Sequence, residues 1–424
     1  MKRRQFMGGL GGAVAASSVA GAAPPAQVPI GAEAFRGLVS DVKVTNMKVF
    51  VVSLTPNTDR PFVFVKLETD AGVVGWGDGT LEGKAQVVAA CINDFREFII
   101  GADPMQVEHH WQSLYVHTFH RGGPVISAAI SGLDEALWDI RGKILGLPVY
   151  KMLGGPYDPQ GVRGYIGVGG NLEQLRKLRE SNTSLGVTCV KSGLPSYLGW
   201  IETHAKIDQA VRQLQRLREA LGPDIDIAVD FHGRTSPSVA SVIIKAVEPL
   251  GLLFVEEPIP PENVKALAKI SRRTSTPIAT GERAVSHYAC RELIEMGVVD
   301  VLQPDINHVG GITAMWKLAM MASVSGITIS PHAAAGPIGK IASLHVDSAI
   351  PNFLVQEGAR ASGTSILDEW FGFPAMLMVN GKCPLPEKPG LGFELSESVF
   401  EKYVINRPAL MGRAFLEDGS VAQR

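Results

Sequence analysis

The stretch Val229-Asp230-Phe231-His232 begins a series of short apolar runs, each of which ends on an acid or a histidine. The residues at these ends are Asp230, Glu256, Glu282, Asp305, His332 and Glu357, at successive gaps of 26, 26, 23, 27 and 25 residues. A gap of about 25 residues accommodates one strand, one helix and two loops. The spacing therefore predicts that all six side chains lie at the same end of successive strands in a parallel barrel, where such barrels carry their chemistry.

The chain beyond residue 160 alternates short apolar runs with amphipathic helical patterns, which is typical of parallel strands joined by crossover helices. The eight candidate strands are 163–168, 187–191, 226–231, 252–255, 277–279, 299–302, 328–330 and 353–355. Right-handed units of this kind close into a barrel, which we predict over residues 161–383. An open doubly wound sheet is the alternative, although no Gly-x-Gly-x-x-Gly turn or phosphate loop opens any of these helices.

The segment 42–160 predicts a separate α+β domain in front of the barrel. Apolar, β-branched runs at 44–54 and 62–69 precede the turn signal Asp70-Ala71-Gly72, and helical patterns follow. The tail from about 384 to 424 lies outside the barrel repeat. We expect it to fold back and complete the first domain.

Size, charge and cysteine content narrow the class of protein. A chain of 424 residues with 46% apolar residues suits a two-domain α/β enzyme. A formal charge of only −2, without a long basic run, argues against an extended nucleic-acid surface. The four cysteines, Cys91, Cys189, Cys290 and Cys383, lack the paired spacing of zinc sites, so free thiols are the expectation, with a disulfide left open.

The N-terminus predicts an export signal at 1–23 followed by a linker at 24–41. Lys2, Arg3 and Arg4 precede a weakly apolar stretch rich in Gly and Ala, which ends in the small residues Ala20-Gly21-Ala22. The paired arginines favour a twin-arginine signal and a periplasmic protein. A disordered basic tail and an uncleaved tether are the alternatives. No later stretch predicts a membrane span, so stable membrane insertion is not expected once the signal is removed.

Three carboxylates on consecutive predicted strands indicate a metal site. Asp230, Glu256 and Glu282 would repel one another at one barrel mouth unless a cation lay among them. Hard oxygen ligands favour Mg²⁺. Taken singly, each acid could instead be a loop residue, a helix cap or a partner of Arg283.

The next two strands end in a predicted general-base dyad, Asp305 and His332. Strands in a sheet lie about 5 Å apart, so the carboxylate can accept the imidazole N–H and raise the basicity of the other nitrogen. A structural histidine held by a loop aspartate is the alternative. His232 follows Asp230 by two residues, and alternation along an extended segment would bring it to the same side, as a catalytic residue, a nitrogen ligand or a surface histidine.

Glu357 closes the series and has two interpretations. A protonated Glu357 could donate a hydrogen bond to an anionic intermediate. Alternatively, it could close the barrel through a loop salt bridge.

Taken together, the sequence resembles the enolase superfamily, and within its mandelate racemase subgroup the D-galactonate dehydratase type. The resemblance covers nearly the whole chain after the export signal. It is carried by segments 134–140, 229–232, 256–258, 281–283, 303–305 with His308 and 310–311, 331–332 with 336–338, and 389–392.

The resemblance implies a modified (β/α)7β TIM-like barrel capped by an N-terminal α+β domain. It also implies Mg²⁺ bound by Asp230, Glu256 and Glu282, and abstraction of the proton α to a substrate carboxylate. A cation of this kind would stabilise the enediolate as charge develops. A homo-oligomer is a further expectation from the family.

The same resemblance implies a dehydration of a small-molecule sugar acid. His332, backed by Asp305, would remove the C2 proton, and His232 would act as general acid on the departing 3-hydroxyl. Glu357 would stabilise the enediolate. The product would be a 2-keto-3-deoxy acid.

The segment Lys191-Ser192-Gly193 departs from the Lys-x-Lys pair common in racemases and lactonising enzymes. It predicts that no lysine serves as base on this strand, which leaves His332 and His232. A racemase, an epimerase or a cycloisomerase for another α-hydroxy or sugar acid is the alternative enzyme. From a different class, a sugar-acid binding protein remains, although a proton-transfer dyad argues against it.

Two loops are candidates for substrate recognition. Residues 53–60 form a polar, proline-containing stretch that could close over the mouth, and His120-Arg121-Gly122-Gly123 could contact distal substrate groups. Both could instead be solvated surface loops.

Overall fold

The computed structural model describes residues 41–55, 58–194, 198–333, 336–408, 411–416 and 418–422, apart from the side chains at 182–184. From Asp41 onward these residues form one compact unit. The predicted export signal and most of the linker lie outside the described residues. In the described part of the chain, no helix combines the length and apolarity that crossing a bilayer requires.

The first domain is an antiparallel sheet covered by helices. Its strands run in the order β1 (Val44–Val52), β2 (Phe62–Thr69) and β3 (Val74–Asp78), and the β2–β3 turn contains Gly72 with a φ of +73°. The helices are α1 (Ala85–Asp94), α2 (Arg96–Ile99), α3 (Val107–Val116), α4 (Pro124–Leu145) and α5 (Val149–Met152). A Cβ at Gly77 would lie 1.9 Å from the carbonyl oxygen of Gly132, so glycine permits β3 to pack directly on α4.

The second domain is a parallel barrel. Its sheet runs in the order β5 (Ile166–Gly167), β6 (Cys189–Gly193), β7 (Asp226–Asp230), β8 (Phe254–Glu256), β9 (Ile278–Thr280), β10 (Val301–Leu302) and β11 (Thr328–Ile329). The helices that follow are α6 (Leu172–Leu185), α7 (His204–Leu221), α8 (Pro237–Val247), α9 (Val264–Ser271), α10 (His287–Glu295), α11 (Ile306–Val309), α12 (Gly311–Ser323), α13 (Pro337–Asp347) and α14 (Ile366–Phe371). This architecture confirms the predicted fold class.

Two of the predicted strands differ in detail. The first divides into β4 (Val162–Arg163) and β5, because β4 pairs with β12 (Lys382–Cys383) outside the barrel. The last, at 353–355, is not a regular strand. It closes the barrel through isolated parallel bridges, from Phe353 to Ile329 and from Gln356 to Gly164. Ladders this short form at the closure because each neighbouring strand is itself only two residues long.

The tail packs mainly on the first domain. The Val149 N–H donates to the Gly390 carbonyl, and Val404 forms a bridge with Val52. The Phe400 ring lies in the same aromatic cluster as Phe50 and Trp76, with ring centres 5.2 and 5.9 Å away. Beyond residue 410 the tail reaches the second domain, where Leu416, Val421 and Ala422 line a small cavity with Leu198, Trp200 and Arg234.

Candidate active site

The parallel register brings the predicted acids to one end of the barrel. Asp230 and Glu256 are the last residues of β7 and β8 and are directly paired, while Glu282 follows β9 by two residues. The side chains of Asp230 and Glu256 are almost fully buried, and that of Glu282 is 16% exposed. The Gln303 amide donates to Glu256 Oε2 at 2.9 Å and fixes that carboxylate. Three acids therefore crowd the mouth.

Burial in this crowded mouth disfavours ionisation of the acids. Desolvation raises the pKa of Asp230 and raises that of Glu256 to about 7. It also raises the pKa of Glu282 well above its usual value, and the surrounding carboxylates add to the effect. Such a set of buried oxygen donors ionises readily only when positive charge is supplied among them.

Lys191 supplies part of that charge from within the chain. Its Nζ lies 2.6 Å from Glu357 Oε1, 2.8 Å from Glu256 Oε1 and 3.5 Å from Asp230 Oδ2. Burial opposes the charge, but the nearby Tyr165 hydroxyl and these three carboxylates raise the pKa of Lys191 well above its usual value. Lys191 is therefore the central cation of the site, a role the sequence did not reveal.

The dyad residues lie in direct contact. His332 Nδ1 donates to Asp305 Oδ2 at 2.7 Å, and Asp305 Oδ1 accepts the N–H of Asn307. This leaves His332 Nε2 directed into the mouth, 3.1 Å from Glu282 Oε2. Burial opposes the charge on the ring, but Glu282 and Asp305 raise the pKa of His332 well above its usual value. Both carboxylates therefore favour the protonated form of the ring.

His232 also lies beside the predicted metal ligands, but not through an extended segment. Its φ is +52°, so the chain turns sharply after β7, and the alternation argument for its position is wrong. The turn brings His232 Nε2 to 3.2 Å from Asp230 Oδ2, while its backbone N–H donates to Oδ1 of the same residue. Burial, with the neighbouring cations Arg234 and Lys191, lowers the pKa of His232 to about 4.

Glu357 forms a salt bridge, which corresponds to the second of its two predicted roles. Besides Lys191, it accepts the backbone N–H of Ala333 at 2.9 Å. Burial would raise its pKa, but Lys191 and His332 outweigh burial and lower the pKa of Glu357 to about 2. In this arrangement the side chain accepts hydrogen bonds. Its role as a donor to an intermediate stays a prediction.

The residues present fit a divalent cation. Asp230, Glu256 and Glu282 offer only carboxylate oxygens, the donor set that Mg²⁺ prefers, and burial makes their ionisation dependent on a nearby positive charge. Among the described residues, a tighter cluster is Asp305, His308 and His332, whose ligand atoms lie within 4.8 Å of one another. We interpret that cluster as the dyad with a neighbour, because two of its three donors are imidazole nitrogens, which suit Mg²⁺ less well than carboxylate oxygens.

The two candidate recognition loops lie in different surroundings. Arg60 lies 3.8 Å from Glu82, and Glu82 in turn lies 3.7 Å from His308 beside the dyad. Pro56 and Asn57, in the middle of the candidate loop 53–60, lie outside the described residues. His120 and Arg121 follow α3 and are exposed.

A parallel barrel with an antiparallel cap and a mouth lined by acids and histidines defines the class of capped barrel enzymes. The chain belongs to the enolase superfamily, in its mandelate racemase and muconate lactonizing enzyme group. Residues 37–154 match the model of the mandelate racemase / muconate lactonizing enzyme N-terminal domain, and residues 174–399 match the enolase C-terminal domain-like model.

Solved structures of the superfamily have the same fold. An enolase from Pantoea ananatis, solved with bound D-gluconate and Mg, is 29% identical over 91% of this chain and 100% of its own, with a TM-score of 0.80. A protein from Salmonella enterica serovar Typhimurium, described provisionally as a dehydratase, is 30% identical over 86% of this chain and 99% of its own, with a TM-score of 0.79. A mandelate racemase/muconate lactonizing enzyme-like protein from Rubrobacter xylanophilus has 28% identity, coverage of 86% and 98%, and a TM-score of 0.78.

Proposed function

We propose that the protein is a metal-dependent dehydratase of sugar acids. It would remove the proton at C2 of the substrate and expel the 3-hydroxyl as water, giving a 2-keto-3-deoxy acid after tautomerisation. The bound gluconate and Mg of the Pantoea structure and the provisional description of the Salmonella protein support this class of reaction.

The position of the two histidines carries the proposal. Counting the closing segment 353–357 as the eighth barrel position, β7 is the third and β11 the seventh. These positions lie opposite each other in an eight-membered barrel. His232 follows β7 and His332 follows β11, so the two imidazoles address opposite faces of a substrate held in the mouth.

Each histidine has a separate proton to move. His332 Nδ1–H is held by Asp305, so Nε2 takes the C2 proton and the electrons of that C–H bond pass into the enediolate. As these electrons form the C2–C3 double bond, the C3–O bond breaks and a protonated His232 gives its Nε2 proton to the leaving oxygen. The negative charge of the bound substrate would raise the pKa of His232 from about 4 and so favour this protonated form. Glu282 lies 3.1 Å from the His332 ring. A cation bound at Glu282 would offset part of the negative charge of that carboxylate, and this determines how readily His332 accepts a proton.

The charged residues of the mouth stabilise the developing anion. Lys191 is placed to pair with a carboxylate oxygen of the substrate, since its ammonium already lies among the carboxylates. Mg²⁺ held by Asp230, Glu256 and Glu282 would supply Lewis-acid stabilisation of the enediolate charge. Water exclusion by the cap strengthens these interactions.

A screen of aldonic and aldaric acids with Mg²⁺ tests the proposal. We expect a 2-keto-3-deoxy product from at least one acid, detected by semicarbazide trapping and by proton NMR in D₂O. Exchange at C2 without a keto-deoxy product from any acid would contradict dehydration.

Epimerisation is the second candidate, because the same opposed histidines could move a proton from one face of C2 to the other. Gly193, at the end of β6, carries no competing base. In D₂O an epimerase would yield the C2 epimer with deuterium incorporated and without water loss. The same NMR experiment therefore separates the two reactions.

We further propose that the protein works in the periplasm after twin-arginine export. The paired Arg3 and Arg4 and the small-residue segment before residue 24 support this location. Transport of folded cargo would allow the metal to be bound before export.

A further inference from the structure

Lys340, in the first turn of α13, is a charged residue at the edge of the mouth. Among the residues that the structure describes, no hydrogen bond or ion pair reaches its Nζ, although the side chain is only partly exposed. A partly buried ammonium without a partner is costly, and the first turn of a helix is the unfavourable end for a cation. Fold stability therefore does not account for this lysine.

The ammonium lies beside the eighth barrel position. A Cβ at Gly358 would lie 3.3 Å from Lys340 Nζ and 3.0 Å from the Ala333 carbonyl oxygen, so any side chain there would crowd the ammonium. Gly358 directly follows Glu357, whose carboxylate pairs with Lys191. Lys340 thus lies beside the residue that follows the acid paired with Lys191.

The cap contributes a second cation to this side of the mouth. Burial lowers the pKa of Lys340, and the carboxylates of Glu357 and Asp305 act in the opposite direction. The positive charge of Arg60 acts in the same direction as burial. Arg60 is half exposed, and its ion contacts, to Asp59 and Glu82, are both as long as 3.8 Å. The cap thus adds a weakly compensated cation, which is linked through Glu82 to His308 beside the dyad.

Space for a small group adjoins the lysine. A cavity of about 110 Å³ is lined by Lys340 and Gly358, with Phe371, Phe373 and Met376 among its apolar walls. Arg360 also lines it, but its guanidinium is held by both carboxylate oxygens of Asp368. Lys340 is thus the lining cation whose charge remains available to a ligand.

We propose that Lys340 binds a distal carboxylate of the substrate, so that the preferred substrates are aldaric acids with a carboxylate at each end. The inference rests on the proposed function and narrows its substrate class. The C1 carboxylate lies by Lys191, and the distal carboxylate pairs with Lys340. An aldonic acid, with a neutral distal hydroxymethyl group, leaves Lys340 unpaired and binds less well.

Matched pairs of substrates test this inference in the full-length protein with Mg²⁺. D-galactarate is compared with D-galactonate, and D-glucarate with D-gluconate, in the wild type, K340Q and K340R. Exposed Lys269 on α9 provides the control variant K269Q. A charge-assisted contact contributes a factor of about 10 to 100, so K340Q should lose that much kcat/KM on the diacids and little on the monoacids. K340R should retain most of the preference.

A binding readout separates this inference from the proposed function. Thermal stabilisation by each acid is measured with Mg²⁺ in the same variants, and the wild type should be stabilised more by the diacids. An unchanged diacid preference in K340Q, with turnover intact, overturns the role of Lys340 and leaves the dehydratase proposal standing. If no acid gives either turnover or thermal stabilisation, both the role of Lys340 and the dehydratase proposal are overturned. A preference for 6-phosphogluconate over the diacids overturns the assignment of a carboxylate.

Discussion

Lys191 Nζ and Glu357 Oε1 lie 2.6 Å apart, and the same ammonium contacts Glu256 and Asp230. The chain therefore neutralises part of its acidic mouth with its own lysine. Removing one member of a buried ion pair leaves uncompensated charge, which is more damaging than replacing the whole pair. Lys191 and a divalent cation should consequently act on the same group of carboxylates.

Lys191→Met should make the fold dependent on metal. We expect the free energy of unfolding to fall by about 3 kcal/mol in EDTA, because three carboxylates lose their ammonium partner. Mg²⁺ should raise the free energy of unfolding of this variant by more than it raises that of the wild type. Chemical denaturation with and without Mg²⁺ measures both values, with K269Q as the control. Equal losses in the two conditions would show that Lys191 and the cation do not share these carboxylates.

Glu256→Gln should remove the stabilisation by Mg²⁺. A ligand at 100 times its dissociation constant adds about 2.7 kcal/mol to the free energy of unfolding. The wild type should show a shift of this order in a magnesium titration, and E256Q should show little. The exposed α7 variant E219Q should behave as the wild type. An undiminished shift in E256Q would place the cation elsewhere, for example at the cluster of Asp305, His308 and His332.

His332→Asn and His232→Asn should separate the two proton transfers. Loss of the base should abolish deuterium exchange at C2, and turnover should fall by about 10²- to 10⁴-fold. Loss of His232 should stop water loss while C2 exchange continues. Proton NMR in D₂O follows both reactions in one sample. Water loss at the wild-type rate in H232N would exclude His232 as the general acid.

Asp134→Asn should change the pH dependence of stability away from the mouth. Asp134 on α4 is fully buried and accepts the Thr313 N–H, and burial raises its pKa to about 7. The nearby charges of Lys317 and Glu108 are smaller influences. Because the folded protein holds this proton more tightly than the unfolded chain, its contribution is complete below about pH 4 and is lost as pH rises towards 7.

The contribution of Asp134 to the free energy of unfolding that is lost between about pH 4 and 7 is at most about 4 kcal/mol. An asparagine keeps the acceptor for Thr313 but cannot ionise. Denaturation curves between pH 4 and 8 should therefore be flatter in D134N than in the wild type. The D224N variant, at an exposed position between α7 and β7, should leave the slope unchanged. A wild-type slope in D134N would mean that Asp134 is ionised throughout this interval.

Arg3→Lys with Arg4→Lys should retain the protein in the cytoplasm. Twin-arginine transport depends on the arginine pair, whereas a general secretory signal needs only positive charge. Cell fractionation and immunoblotting of the double variant against the wild type measure the change. Undiminished periplasmic protein in the double variant would indicate another route.

The barrel could be predicted because its acids and histidine recur at a regular spacing along the chain. From β7 onward each strand ends on a residue of the acid and histidine series or is followed by one within three residues, and parallel register converts the regular spacing into a common rim, as Asp230 and Glu256 show. The closing segment at 353–355 was predicted less well, because a pattern of apolar residues does not distinguish a ladder from two isolated bridges.

The central cation could not be predicted in the same way. The series marks where acids lie but not which cation they share, and the segment around Lys191 indicates only half of a lysine pair. A lysine at the carboxyl end of a barrel strand, in Val190-Lys191-Ser192, was the available signal. The left-handed turn at His232 was likewise hidden, because residues other than glycine rarely adopt it.

The return of the tail to the first domain has a consequence for the order of folding. Lys48 on β1 binds Glu397, a residue 349 positions later, and β1 also pairs with the last part of the described chain. Domains normally fold as the nascent chain emerges, N-terminal domain first. Here the first domain cannot be completed until the whole barrel has been synthesised, so its assembly is a late event of high contact order.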